Sequence, residues 1–104
     1  MLLSTTDTIC NKKITKQLGL VRGNTIRARH IGRDIMAGLR NIVGGEVGEY
    51  TKLMAESREQ AIDRMIEEAQ KLSANAVVGI RFSTTEVMGR AAEILVYGTA
   101  VVIE

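Results

Sequence analysis

Few residues in this chain are equipped to make or break bonds. Among 104 residues there is one thiol, Cys10, and one imidazole, His30. Soft-metal sites bring thiolates and imidazoles within bonding distance, commonly from closely spaced cysteine pairs, and one cysteine cannot supply a pair. His30 and Asp34 stand four apart and share a helical face only if the helix reaches back to His30. The plainer expectation is a small buried thiol at Cys10 and an exposed or capping histidine. A metal site within one subunit is therefore disfavoured, although a ring of subunits could gather one ligand from each copy. Cys10 and His30 could pair as nucleophile and base, since a thiolate needs a neighbouring base or cation. Nothing in their spacing supports it. No catalytic constellation is visible, so a non-enzymatic role is favoured and the question of an enzyme stays open.

The polar residues concentrate elsewhere. Arg33-Asp34-Ile35-Met36-Ala37-Gly38-Leu39-Arg40-Asn41-Ile42-Val43-Gly44-Gly45 sets charged groups beside a double glycine. The following Glu46-Val47-Gly48 leads into a helix, and helix N-termini favour anions. Neither phosphate-loop pattern is present, however: no Gly-Lys-Ser/Thr follows, and the preceding element reads as a helix where the dinucleotide fingerprint needs a strand. Glu46 and Glu49 also put negative charge where a phosphate would sit. Arg22, Arg27, Arg29, Arg33 and Arg40 form a basic segment able to neutralise phosphates. It contains no aromatic residue on which a base could stack, so nucleic acid is disfavoured. If the chain has a ligand site, the candidates are Arg33, Asp34, Arg40, Gly44 and Gly45. The competing reading is that this motif only sets a helix–helix angle and subunit packing. The sequence names no cofactor.

These residues need elements to hold them. Residues 14 to about 29 read as extended, with Ile14, Leu18 and Leu20 on alternate positions. Gly19 and Gly23 suggest a bulge or tight bend, and Arg22-Gly23-Asn24-Thr25 could divide the segment in two. Ile31, Ile35, Leu39 and Ile42 recur at helical spacing, and Gly44-Gly45 suits a C-cap. A longer helix is predicted from Glu46 or Glu49 to Leu72. Its inner face would be Tyr50, Met54, Ala61, Met65, Ala69 and Leu72, widened by Leu53, Ile62 and Ile66. Glu67 and Lys71 have the spacing of an i,i+4 ion pair, and Asn75 suits a left-handed cap. Two strands follow, 76–83 and 92–103, with Met88-Gly89-Arg90 as their hairpin loop. The order is β-α-α-β-β, with room for a short strand at the N-terminus. The expected fold is α+β, a small two-layer antiparallel sheet carrying two helices.

The last strand carries the strongest physical argument. Ile94, Val96, Ala100 and Val102 alternate with Leu95, Tyr97, Val101 and Ile103, so both faces are apolar. A strand with one solvated face should alternate apolar and polar. Two helices cover one face; the other needs a partner, because large exposed apolar patches are uncommon on monomers. The expectation is a homo-oligomer.

Composition narrows the setting. The length suits one domain, 1–104. Apolar residues make up 45%, yet only Tyr50, Phe82 and Tyr97 are aromatic, so the core must be aliphatic. The lone cysteine removes any need for an oxidising compartment. The start turns polar too early for a signal peptide, and no apolar run approaches the roughly 18 residues of a membrane span. The reading is a cytoplasmic protein with no membrane partner. Residues 1–45 carry +6 and residues 46–104 carry −4, within a net charge of +2. Such a split serves an anionic ligand, or lets one subunit's basic surface meet its neighbour's acidic one.

With its elements placed, the chain resembles the YbjQ-like family, also labelled as a heavy-metal-binding domain. The resemblance runs end to end through Ser4-Thr5-Thr6, Leu18-Gly19-Leu20-Val21-Arg22-Gly23 and Gly32-Arg33-Asp34 with Gly38 to Gly45. It continues through Tyr50, Ala74-Asn75-Ala76-Val77-Val78-Gly79-Ile80 and Gly98-Thr99-Ala100-Val101. It implies a dodecin-like subunit assembled as a ring, a homopentamer, whose biochemical role is uncharacterised. On that resemblance the chain is a structural or small-ligand-binding module, with heavy-metal binding at sites shared between subunits as the alternative.

Overall fold

The computed structural model describes residues 1–28, 47–87 and 91–104. They form a four-stranded sheet with one helix on it: β1 (Leu2–Leu3), β2 (Ile14–Ala28), α1 (Val47–Lys71), β3 (Ala76–Val87) and β4 (Ala91–Ile103). The order across the sheet is β1-β3-β4-β2. The expected short helix over Ile31–Ile42 and the hairpin loop at Met88–Arg90 lie outside the described residues.

The sheet is mixed where an antiparallel one was expected. β1 runs parallel to β3, pairing Leu2 with Ala76 and Leu3 with Val77. The Leu2 amide donates to the Asn75 carbonyl at 3.2 Å and the Ser4 amide to the Val77 carbonyl at 2.9 Å. β3 then bulges between Val78 and Arg81. Gly79 sits there at φ +63°, a conformation that costs a residue with a Cβ and costs glycine nothing. In return, the Gly79 amide donates to Thr6 and the Ile80 amide to Ser4, at 2.9 and 3.1 Å, so the N-terminal segment stays on the sheet edge.

β2 is one strand, not two. It pairs with β4 from Ile14 opposite Ile103 to Ala28 opposite Ala91, straight through Arg22–Thr25. The register shift between Gln17 and Gly19 is the bulge that the glycine suggested, with Gly19 at φ +122°. Gly23 has a different cause. A Cβ there would lie 2.0 Å from the Ala61 carbonyl oxygen and 2.5 Å from the Met65 amide nitrogen. Helix backbone rests directly on the strand at this point, and only glycine leaves room for it.

The inner face of α1 is narrower and smaller than its apolar pattern implied. Ala61, Met65 and Ala69 are fully buried, and so is Ser57. Thr25 of β2, also buried, donates its hydroxyl to the Ser57 carbonyl at 3.2 Å. Met54 and Ile62 pack from the flanks, while Leu72 is exposed. The side chains of Tyr50 and Leu53 lie outside what is described. Glu67 and Lys71 are exposed and do not reach ion-pair distance; among the described residues the helix ion pair is Arg58–Glu59 at 3.8 Å.

The helix ends in a Schellman motif. Ser73 takes the left-handed position at φ 65°, where Asn75 was expected. The Ser73 amide donates to Gln70 and the Ala74 amide reaches back to Ala69, at 3.0 and 3.1 Å, which satisfies two terminal carbonyls. Asn75 is thereby free to serve β4. Its Nδ2 donates to the Ile103 carbonyl at 3.0 Å, and its Oδ1 accepts from the Ile103 amide at 2.7 Å.

Candidate functional site

Every candidate that the sequence nominated, Arg33, Asp34, Arg40, Gly44 and Gly45, lies outside the described residues, as does His30. Cys10 is described, and it is exposed where a buried thiol was expected. It sits on a turn closed by the Lys12 amide donating to Ile9 at 3.1 Å, with Asn11 at φ 62°. Ile9 is the residue of this segment that goes inward, and Cys10 is turned out to solvent.

What the structure does assemble lies on the sheet face away from α1. Strand alternation puts Val21, Gly23 and Thr25 under the helix, and so puts Leu20, Arg22, Asn24 and Ile26 on the opposite face. Register then builds rows across three strands. Arg22 pairs with Tyr97, and Tyr97 pairs with Arg81 on its other side. Directly opposed side chains in such a ladder stand about 5 Å apart at Cβ. One aromatic ring is thus bracketed by two arginines that are 59 positions apart in sequence.

The two arginines are held differently. Arg81 is anchored: its Nη1 donates to the Thr5 carbonyl at 2.8 Å and to the Ile80 carbonyl at 2.9 Å. The N-terminal segment therefore fixes where that guanidinium sits. Arg22 has no hydrogen-bond or ion-pair partner among the described residues. Glu93, a carboxylate on this face, is two rows away along β4 and accepts from Asn24 Nδ2 at 3.1 Å. The sequence reading places Tyr97 merely on an apolar face and finds no aromatic residue within the basic segment that holds Arg22. Nothing in either segment alone signals the row; it exists only through the pairing register.

A second feature is a groove of about 190 Å³ between α1 and the edge of the sheet, lined by Leu3, Ser4, Thr5, Ile62, Met65, Ile80 and Phe82. Its walls are almost wholly apolar. The hydroxyls beside it are engaged in holding the N-terminal segment: Ser4 Oγ and Thr6 Oγ1 share a hydrogen bond of 2.6 Å, and Thr6 Oγ1 donates to the Thr8 carbonyl. That is a structural use of these two hydroxyls.

A family model described as "putative heavy-metal-binding" matches residues 1–104. The chain belongs to the YbjQ-like family. A UPF0145 protein of Methanosarcina acetivorans is 60% identical over 101 residues, spanning 97% of this chain and 95% of that one. A UPF0145 protein of Dehalococcoides mccartyi is 56% identical over 104 residues, covering both chains completely. A protein of unknown function from Pediococcus pentosaceus, assigned to the DUF74 family, is similar in fold in its crystal structure. The TM-score is 0.65 over 100% of this chain and 98% of that chain, at 16% sequence identity. That likeness is one of fold alone.

The family description names a heavy metal, so the donors present bear directly on it. Among the described residues no three His, Cys, Asp or Glu side chains gather where they could hold one ion. Cys10 supplies the single thiol donor among the described residues. A metal held within one subunit finds no donor set among the described residues. No helix in the described residues is long and apolar enough to cross a membrane.

Proposed function

We propose that this YbjQ-like protein is a single-domain subunit, residues 1–104, of a cytoplasmic homo-oligomeric ring, a pentamer, that serves as a structural or small-ligand-binding module. The observation that carries the reading is the shape of the sheet and its edges. The radius of gyration is 17.0 Å, with extents of 54 × 24 × 18 Å, where a compact domain of this length has about 13 Å. β2 runs for 15 residues along one edge of the sheet, and no described strand pairs its outer side. At the other edge β1 covers only the start of β3. Long open edges are sites of pairing with another chain. Joining the β2 edge of one copy to the β3 edge of the next is a head-to-tail contact, and such contacts close into rings when the rotation allows.

Charge is split along the chain, +6 over residues 1–45 and −4 over residues 46–104. However, β3 carries one charge of each sign, Arg81 and Glu86, against Lys16, Arg22 and Arg27 on β2, so the reading rests on the open strand edges and not on charge. If metal enters the function, a ring places exposed Cys10 thiols from several copies in symmetric positions.

Native mass spectrometry of untagged protein, purified without added metal, tests the reading. The expected spectrum is a closed oligomer at micromolar concentration. A monomeric mass refutes the assembly. Bound metal in a fixed ratio to subunits, lost on Cys10→Ser, would replace the small-ligand reading with the metal one.

A further inference from the structure

We propose that the open sheet face binds a planar organic anion of the nucleotide class, with the base on Tyr97 and the phosphate on Arg22. This names a ligand class for the small-ligand part of the function proposed above and rests on that part alone, not on the ring. Three observations carry it. The first is the row Arg22–Tyr97–Arg81, set by register on two strand pairs. An exposed aromatic ring with guanidinium groups on both sides is the pairing that stacking on a base and neutralising a phosphate require. The second is the unequal state of the two cations. Arg81 is positioned by the Thr5 and Ile80 carbonyls, while Arg22 has its donors uncommitted among the described residues. A guanidinium with no carboxylate partner is open to a phosphate, which it binds through a two-pronged contact.

The third is what surrounds the ring. Tyr97 is 37% exposed, and Leu20, one row away, is 65% exposed. Together with Leu95 on β4 they make an apolar platform around the ring on which a flat base can lie. Glu93 lies two rows, roughly 13 Å at Cα, along β4 from Tyr97, and its carboxylate accepts from Asn24 Nδ2. Asn24 fixes that carboxylate without cancelling its charge, so screening by salt and the row between them limit its repulsion of a phosphate at Arg22. One stacking ring suits one base, which is why the proposal stops at a mononucleotide.

The test uses the whole chain, which has no tryptophan and only two tyrosines, Tyr50 and Tyr97. Titration with adenosine 5′-monophosphate is expected to quench tyrosine fluorescence and to release heat at one site per subunit. Adenosine and inorganic phosphate alone should each bind at least about tenfold more weakly, because each offers half of the contact. Tyr97→Leu is expected to lower the affinity about tenfold or more, while Tyr97→Phe keeps it within about threefold, since stacking needs the ring and not the hydroxyl. Arg22→Gln should lower affinity and remove most of its salt dependence. Circular dichroism of each variant confirms that the fold persists.

No quenching up to millimolar concentration, or binding indifferent to both Tyr97→Leu and Arg22→Gln, overturns the proposal. A short single-stranded oligoadenylate that binds about tenfold tighter than the mononucleotide overturns it in favour of a nucleic-acid surface. The subunit count measured on the same samples separates the two readings. A ring blind to the nucleotide removes this site and leaves the assembly standing. A monomer that binds through Tyr97 and Arg22 does the reverse.

Discussion

The two faces of the sheet are built from the same strands and solve opposite problems. Under α1, β4 contributes Ile94, Val96 and Ala100, all buried against Val21, Val77 and the helix residues Ala61, Met65 and Ala69. On the other side, the alternate residues of the same strand meet three different neighbours. Val101 is buried with Ala76 and Val78 beneath Ile9 and Ile14; Tyr97 stands between arginines; Leu95 and Glu93 lie beyond them. On the helix face, apolar residues directly under α1 are core, while Phe82 at the sheet edge stays exposed. On the other face an apolar residue's role depends on how far the N-terminal segment reaches. The two-sided apolar pattern of β4 therefore divides into a covered lower part, closed by the N-terminal segment, and an upper part that no described segment covers.

The largest effect should come from the place where helix and sheet touch most closely. Gly23→Val puts a branched side chain where even a Cβ would lie 2.0 Å from the Ala61 carbonyl oxygen. Backbone cannot yield as a flexible side chain can, so α1 must lift from β2. We expect a loss of more than about 3 kcal/mol, above the usual range for overpacking, read as a collapse of the urea midpoint. A loss under about 1 kcal/mol would mean that the helix is not seated on that strand. Gly19 is the control: nothing lies within 4 Å of its Cβ direction, and only its φ of +122° resists a side chain. Gly19→Ala should cost about 1–3 kcal/mol, from backbone strain alone.

That pair also shows what could be read from the sequence and what could not. Both glycines were visible as irregular points in an extended run, and the Gly19 bulge followed from that alone. The meaning of Gly23 did not, because its cause is a helix 38 positions downstream at Ala61. The long helix, its limits to within a residue or two, and both C-terminal strands were legible because periods of 3.6 and 2 are local. β1 was legible only as a possibility: two residues carry no period, and parallel pairing is set by β3. Leu72 broke the helical stripe because the helix ends at Lys71 and Ser73 turns the chain away. The Arg22–Tyr97–Arg81 row joins three strands, so no window of sequence contains it. The distinctive Arg33–Gly45 motif drew the sequence argument, while the site that the described residues support is elsewhere.

The next test compares the covered regions on the two faces. Met65→Ala removes a fully buried side chain from the helix layer and should cost about 2–5 kcal/mol. Ile9→Ala removes a half-buried one from the lower part of the other face, and about 1 kcal/mol is expected there because less area leaves water. Equal losses in chemical denaturation would show that the N-terminal segment seals a core as tight as the helix does. Asn75→Ala falls between or beside them, at about 1–3 kcal/mol. It leaves the Ile103 amide and carbonyl at the end of β4 without their side-chain partners. Its loss should appear as faster hydrogen exchange at the Ile103 amide rather than along α1.

The smallest effect is expected on the open upper part, and it discriminates best. Leu20 and Ile26 are 65% and 63% exposed. In an isolated subunit, Leu20→Ser and Ile26→Ser each remove an apolar group that is already in water, so stability should stay within about 0.5 kcal/mol. The same changes read differently in an assembly that covers this face. Stability would then fall by more than about 1.5 kcal/mol, and the fall would grow as protein concentration is lowered, because binding between copies contributes by mass action. An assembly joined through strand edges predicts the first result together with a concentration-dependent midpoint in the unaltered chain. If instead the substitutions abolish that concentration dependence, the upper face is itself the subunit interface. The contrast between the two faces would then be a property of the single chain alone, erased once its neighbours are in place.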